Sequence, residues 1–228
     1  RLRQIVAVLV RHGFGEVVSR TALASLVTGK SEAAKNQTVG ERVRLVIQDL
    51  GPSFVKLGQI VSTRPDLMPP DVIAELKKLQ DRVPAVPFPE IQAQVESELP
   101  GTITELYESF DPTPLASASV GQVHRARIKL EDGTTRDVVV KVQRPGIRLL
   151  IERDVELLYF LASAIERAVP ESRLYNLVKN VEEFDRAITA ELDFTKEADN
   201  ALRFAKNFEG HHDVRFPRIY RPWSAKKV

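Results

Sequence analysis

The sequence predicts an α+β fold, with a helical amino-terminal stretch, a small antiparallel sheet, and long helices after it. Three observations carry this. Apolar residues recur at helical spacing through the first hundred positions. Two β-branched runs, 120–128 and 135–142, flank the turn signal Leu130-Glu131-Asp132-Gly133. Helical spacing then returns from residue 148 onward. A chain of 228 residues that is 43% hydrophobic buries one good core or two modest ones. With 33 Lys and Arg against 31 Asp and Glu, it has no broad positive field, so no nucleic-acid partner is expected. The absence of cysteine excludes disulfides and thiolate metal sites. No apolar run approaches the ~20 residues of a membrane-spanning helix, and the basic cluster at 1–11 reads as a solvated helix face. Arg1 in place of an initiator Met implies a cut or processed amino terminus.

In chain order, Leu2, Ile5, Val6 and Leu9 form one amphipathic stripe, and Val43, Val46, Ile47 and Leu50 a second that Gly51-Pro52 stops. Pro52 suits the first turn of a further helix, which Pro65 ends. That helix carries Lys56 and Gln59, three apart on one face, with Gly58 allowing close backbone approach. A helix over 71–80, a rigid proline-rich connector over 83–89 and a short helix through Ile91 and Val95 follow. The expected division lies between 109 and 110, with a helical extension over 1–109 and a sheet-bearing domain over 110–228. Thr28-Gly29-Lys30-Ser31 ends like a phosphate-binding P-loop. Ala24 stands where that loop needs glycine, however, and no hydrophobic strand precedes it.

The hairpin holds the first candidate site. Along its second strand the period of two places Val139 and Lys141 on one face and Val138, Val140 and Val142 on the other. Before it, Ala116, Ser117, Ala118, Ser119, Val120, Gly121, Gln122 and Val123 keep the spacing of the kinase phosphate loop G-x-G-x-x-G-x-V, with alanine at its first two glycines. A purine over Val139 and Val123, with phosphates reaching Lys141, fits this arrangement. The alanines remove easy access to positive φ, so the loop is expected to hold phosphates differently from a glycine loop.

Beyond Arg144-Pro145-Gly146, helices are expected at 148–169 and 174–208, separated by Pro170. In the second, Leu177, Val181, Phe184, Ile188, Thr195, Ala198 and Leu202 make one stripe that includes Glu191, while Asp193 and Glu197 share the opposite side. Residues 214–220 read as a fourth strand, with a fifth starting at 225–228. His124 and the pair His211-His212 lack metal-ligand spacing, so no metal site is expected within the chain.

Lys56-Leu57-Gly58-Gln59, the alanine-rich loop, Lys141 and Glu191-Leu192-Asp193-Phe194 with Glu197 occur in the order of the K-x-G-Q, loop, lysine and E-x-D motifs. In them the chain resembles the UbiB (AarF) family of atypical protein-kinase-like proteins. The resemblance implies a kinase-like N-lobe with a family-specific helical extension packed on it. It implies ATP or ADP as nucleotide, Lys141 and Glu197 as its catalytic ion pair, and Lys56, Gly58 and Gln59 closing the cleft against the regulatory acids Glu191 and Asp193. After Gly146 the one remaining glycine is Gly210, so no D-F-G motif follows; the C-lobe is expected to be absent and Mg2+ to depend mainly on residues outside this sequence. Two functions follow from the resemblance. One is an ATPase or small-molecule kinase in ubiquinone and prenyl-lipid metabolism; the other is a non-catalytic nucleotide-sensing or lipid-handling scaffold. The implied partners are nucleotide, the protein's own C-lobe, and a membrane surface or prenyl lipid. The implied location is cytoplasmic or organellar, peripheral to a membrane.

Overall fold

The computed structural model describes residues 1–19, 37–66, 68–79, 84–168 and 174–228. The P-loop-like residues 28–31, the expected helix end at 80, Val83 and the break at Pro170 lie outside them. The chain divides into two compact units, Arg1–Asp81 with Leu150–Asp185, and Arg82–Leu149 with Arg186–Val228. The contacts therefore do not follow a single cut between 109 and 110. The physical reason is that residues 88–107 bury their apolar side chains with the sheet, while much of the long helix after it packs with the amino-terminal helices.

The first unit is helical. It contains α1 (Leu2–Arg11), α2 (Gly15–Ser19), α3 (Val39–Leu50), α4 (Pro52–Ser62) and α5 (Pro70–Leu76). Thr38 starts α3 through a capping box: its hydroxyl accepts from Glu41 N–H at 3.2 Å, and Glu41 accepts from Thr38 N–H at 2.8 Å. Ile5 and Val8 of α1, Val46 and Leu50 of α3 and Phe54 of α4 share one core, on which Leu157 and Leu158 pack. Val72, Leu76 and Leu79 form another against Val43, Ile47 and Val61. At Gly58 the close approach comes from side chains rather than backbone. A Cβ there would lie 2.4 Å from Leu79 Cδ1 and 3.2 Å from Ile47 Cδ1.

Arg1, itself half-buried, pairs with the fully buried Asp154 in this unit. Arg1 Nε and Nη2 donate to the Asp154 carboxylate at 2.5 and 2.8 Å, and Nη2 also donates to Leu50 O at 2.7 Å. The Asp154 side chain has no exposed surface. A carboxylate so placed depends on its partner, because water cannot compensate its charge.

The second unit contains α6 (Phe88–Glu98), α7 (Ile103–Leu106), β1 (Ser109–Ser117), β2 (Gly121–Lys129) and β3 (Thr135–Gln143); the three strands form an antiparallel sheet in that order. Gly133 turns the β2–β3 hairpin at φ 82°, a conformation that favours glycine, and its N–H donates to Leu130 O at 2.9 Å. One sheet face carries Ala126, Ile128, Val140 and Val142, buried against Ile91 and Val95 of α6 and against Tyr107. His124 is also buried on this face, held by Gln122 at 3.0 Å and by Asp111 O at 2.8 Å.

Two helices, α8 (Ile147–Ala168) and α9 (Leu177–Glu191), have residues in both units, and α10 (Phe194–Asn207) belongs to the second. The single helix expected over 174–208 is thus broken at Leu192-Asp193. Gln143 Nε2 donates to Leu192 O at 2.9 Å, and Phe194 N–H donates to Lys226 O at 2.9 Å, so backbone groups at the break bond outside the helix. The break shifts the helical phase. Phe184, Ile188, Leu192, Phe194 and Ala198 are buried, but Glu191 is exposed rather than included in a core stripe, and Leu202 remains 43% exposed.

Residues 214–220 form no strand, and the sheet has three strands among the described residues. Pro217 interrupts the run, and Phe216 packs on Phe204 and Phe208 near the end of α10 at 6.1 and 5.6 Å between ring centroids. The expected fifth strand is reduced to the bond from Gln143 N–H to Lys227 O at 2.8 Å. No helix among the described residues is long and apolar enough to cross a membrane.

Candidate nucleotide site

Register places the key side chains on one face of the hairpin. Val123 pairs with Lys141 and Arg125 with Val139, so Val123, Val139 and Lys141 point away from the core that Val140 and Val142 enter. Val139 is 64% exposed, a large apolar side chain on an open wall.

The opposing wall is α10. Asp193 is its N-cap, accepting from Thr195 N–H at 3.1 Å and from the Thr195 hydroxyl at 2.5 Å. The hydroxyl bond holds the Asp193 carboxyl below the usual carboxylate range. From that start Phe194, Glu197, Ala198 and Ala201 share one helical face, and all four line a cavity of about 710 Å³ together with Ala118, Val123, Val139 and Lys141. Tyr107 lines it too; burial pushes its phenol pKa up, and its Oη has no hydrogen-bond partner among the described residues.

Lys141 Nζ donates to Glu197 Oε2 at 2.5 Å and lies 4.6 Å from the centroid of the Phe194 ring. The pair is open to solvent, with side chains 43% and 64% exposed, so its attraction contributes only about 0–1 kcal/mol to folding. Glu197 also sits in the first turn of α10, where the helix dipole favours a negative charge. The result is an ammonium held at a fixed place beside an apolar wall, at little stabilising gain to the protein itself.

The loop before β2 is a tight reversal. Ala116 pairs with Val123 and Ser117 with Gln122, Ala118 N–H donates to Gly121 O at 2.9 Å, and Ser119 and Val120 are buried at the tip. Gly121 is fixed by packing: a Cβ there would lie 2.7 Å from Val142 O and 3.3 Å from Phe194 Cζ. Gly121→Ala is expected to destabilise the protein by about 1–3 kcal/mol, as overpacking does, read from urea unfolding. A variant as stable as the wild type would contradict the packing argument.

The remaining residues singled out from the sequence are distributed between the units. Lys56, Gly58 and Gln59 are on α4 in the first, while Glu191 ends α9 and Asp193 caps α10 in the second. Sequence reasoning missed Phe194 as the aromatic ring beside Lys141, although it directly follows the E-x-D acids. It also missed Arg144, whose side chain reaches Ala118 O, Ser117 Oγ and Pro84 O; the two backbone acceptors among them leave no mark in a sequence. Among the described residues, no three His, Asp or Glu side chains gather as a metal site.

Comparison with known proteins places this geometry in a family. Residues 78–228 match the model of the ABC1 atypical kinase-like domain. The probable protein kinase UbiB of Aeromonas hydrophila is 41% identical over 236 aligned residues, covering 100% of this chain and 42% of that protein. The probable protein kinase UbiB of Azotobacter vinelandii is 46% identical over 187 residues, covering 82% of this chain and 34% of that protein. A solved structure, the complex of Rv3197 with erythromycin from Mycobacterium tuberculosis, is 29% identical with a TM-score of 0.47, covering 75% of this chain and 41% of that one. The chain spans about two fifths of the length of curated relatives such as the Aeromonas protein. A lysine-bearing hairpin, its helix glutamate and the family match over 78–228 agree, and the chain belongs to the ABC1 atypical kinase-like family.

Proposed function

We propose that this chain supplies the nucleotide-binding half of an ATP-dependent kinase-like protein, an ATPase or small-molecule kinase of the kind that UbiB-like proteins bring to ubiquinone and prenyl-lipid metabolism. The observation that carries the reading is the Lys141–Glu197 contact at 2.5 Å beside the exposed Val139 wall. An exposed valine and a paired, solvent-open ammonium together suit a ligand with a flat apolar end and an anionic end. Val139, Lys141 and Glu197 share one cavity of about 710 Å³, which also takes in core-face residues such as Tyr107, Ile128 and Val140.

In this reading Val123 and Val139 pack on the purine, while Lys141, held by Glu197, meets the α and β phosphates of ATP or ADP. Asp193 sets the start of α10 and through it the position of Glu197. The alanines at 116 and 118 limit how closely the loop backbone approaches the phosphates. Mg2+ supplies charge neutralisation when bound; it is proposed to arrive with the nucleotide. That the acceptor is water or a small molecule rather than a protein is proposed from the family resemblance alone.

The test is Val139→Glu in the full-length protein. A carboxylate on the purine wall is expected to weaken binding of a fluorescent ATP analogue at least about tenfold, or ~1.4 kcal/mol. The melting temperature should change little, since the side chain is exposed. Wild-type affinity in this variant would refute the assignment of the wall.

A further inference from the structure

Arg144 follows β3 directly and grips the loop at the far end of the hairpin. Its N–H donates to Val120 O at 2.9 Å, its Nε to Ala118 O at 2.8 Å, and its Nη2 to Ser117 Oγ at 2.6 Å and Pro84 O at 2.8 Å. The acceptors Ser117, Ala118 and Val120 surround one reversal, so a single residue fixes both the entry and the tip of the loop. Only a planar guanidinium fork reaches several fixed acceptors at once in this way; an ammonium is a point donor.

Ala118 also lines the cleft that holds Lys141. Its carbonyl is turned to Arg144, and so is the carbonyl of Val120. The orientation of these peptide units is therefore set by a residue that does not itself line the cavity. A glycine loop is free to adjust to its ligand; a loop tied at the Ala118 and Val120 carbonyls presents one shape.

We propose that Arg144 is a positioning residue for nucleotide binding: by holding the Ser117–Val120 reversal it presets the loop that meets the phosphates, and so governs affinity rather than turnover. This rests on the nucleotide reading of the cleft. The Pro84 contact ties the connector before α6 to the same guanidinium, so the loop is braced from outside the hairpin as well.

The test compares Arg144→Gln, Arg144→Lys and Ser117→Ala with the wild type in the full-length protein, reading the Kd of a fluorescent ATP analogue with Mg2+, and KM and kcat for ATP hydrolysis. Arg144→Gln is expected to raise Kd and KM about tenfold or more while kcat stays within about threefold, the pattern of lost ground-state and transition-state binding alike. Arg144→Lys is expected not to restore affinity, because a point donor cannot span Ala118 O and Ser117 Oγ. Ser117→Ala removes one acceptor and leaves the cation in place, and is expected to raise Kd about threefold, a modest effect typical of one neutral acceptor. An unchanged Kd in Arg144→Gln, a fall in kcat with KM unchanged, or full rescue by lysine would overturn the proposal. If Arg144→Gln does not fold, Ser117→Ala decides: wild-type affinity there overturns it. A wild-type protein that binds no nucleotide would overturn the reading of the cleft, and this proposal with it.

Discussion

Lys141→Ala in the full-length protein is expected to lower ATP hydrolysis by about a hundredfold or more, the usual scale for removing a preorganised charge that stabilises a transition state. The size follows from the lack of a substitute on this sheet face. Arg127, another cation on it, is engaged with Asp137 at 2.7 Å, and Arg125 lines an adjoining hollow that shares Asp137, Val138 and Val139 with the cleft but does not include Lys141 or Glu197. The fold should survive, because the Lys141–Glu197 pair is solvent-open and contributes about 0–1 kcal/mol. Lys141→Arg is expected to recover little, since the longer planar group cannot occupy the place of the ammonium between Glu197 and Phe194. Steady-state ATPase rates with matched melting curves check this, and activity within about twofold of wild type would sink the assignment of Lys141.

The largest stability effect is expected far from the cleft in sequence, at Arg1. Arg1→Met leaves Asp154 without its ion partner and also removes the donor to Leu50 O, and the side chain of Asp154 has no exposed surface. Orphaning one member of such a pair costs about 3–5 kcal/mol. For a chain of this size each kcal/mol moves the melting point by ~2–4 °C, so a fall of ~6 °C or more is expected by thermal unfolding. The double variant Arg1→Met with Asp154→Leu should regain most of the loss, because a well-packed apolar pair is often as stable as a buried ionic one. A single variant melting with the wild type would show that the pair stabilises nothing.

What the sequence discloses about this fold depends on how local the determinant is. The β2–β3 hairpin is legible because Asp132-Gly133 and the alternating valines specify turn, register and face within two dozen residues. Placing Glu197 opposite Lys141 requires the family resemblance, since the two are 56 positions apart. The break between α9 and α10 escapes periodicity because the apolar stripe runs through it. The groups that satisfy the broken backbone come from Gln143 and Lys226, elsewhere in the chain. Residues 214–220 show the converse: their strand-like alternation serves aromatic packing near the end of α10, a tertiary preference that overrides the local one. The same holds for the site. The side chains on the cleft wall follow from periodicity, whereas Arg144 acts largely on the carbonyls of Ala118 and Pro84, for which any residue type serves.

The three small residues of the loop differ in how freely mutation can explore them. Alanine and glycine occupy neighbouring codons, so either can replace the other in a lineage at almost no genetic distance. Among the described non-glycine residues only Asn176 has positive φ, so Ala116 and Ala118 adopt backbone conformations open to any residue, and exchange with glycine there is sterically permitted in both directions. Gly121 has no such freedom, because the Val142 carbonyl occupies the space a methyl would need. Drift at this loop is therefore channelled to its first two small positions, and a library that varies 116 and 118 while holding 121 would sample changes in nucleotide handling without sampling misfolded proteins.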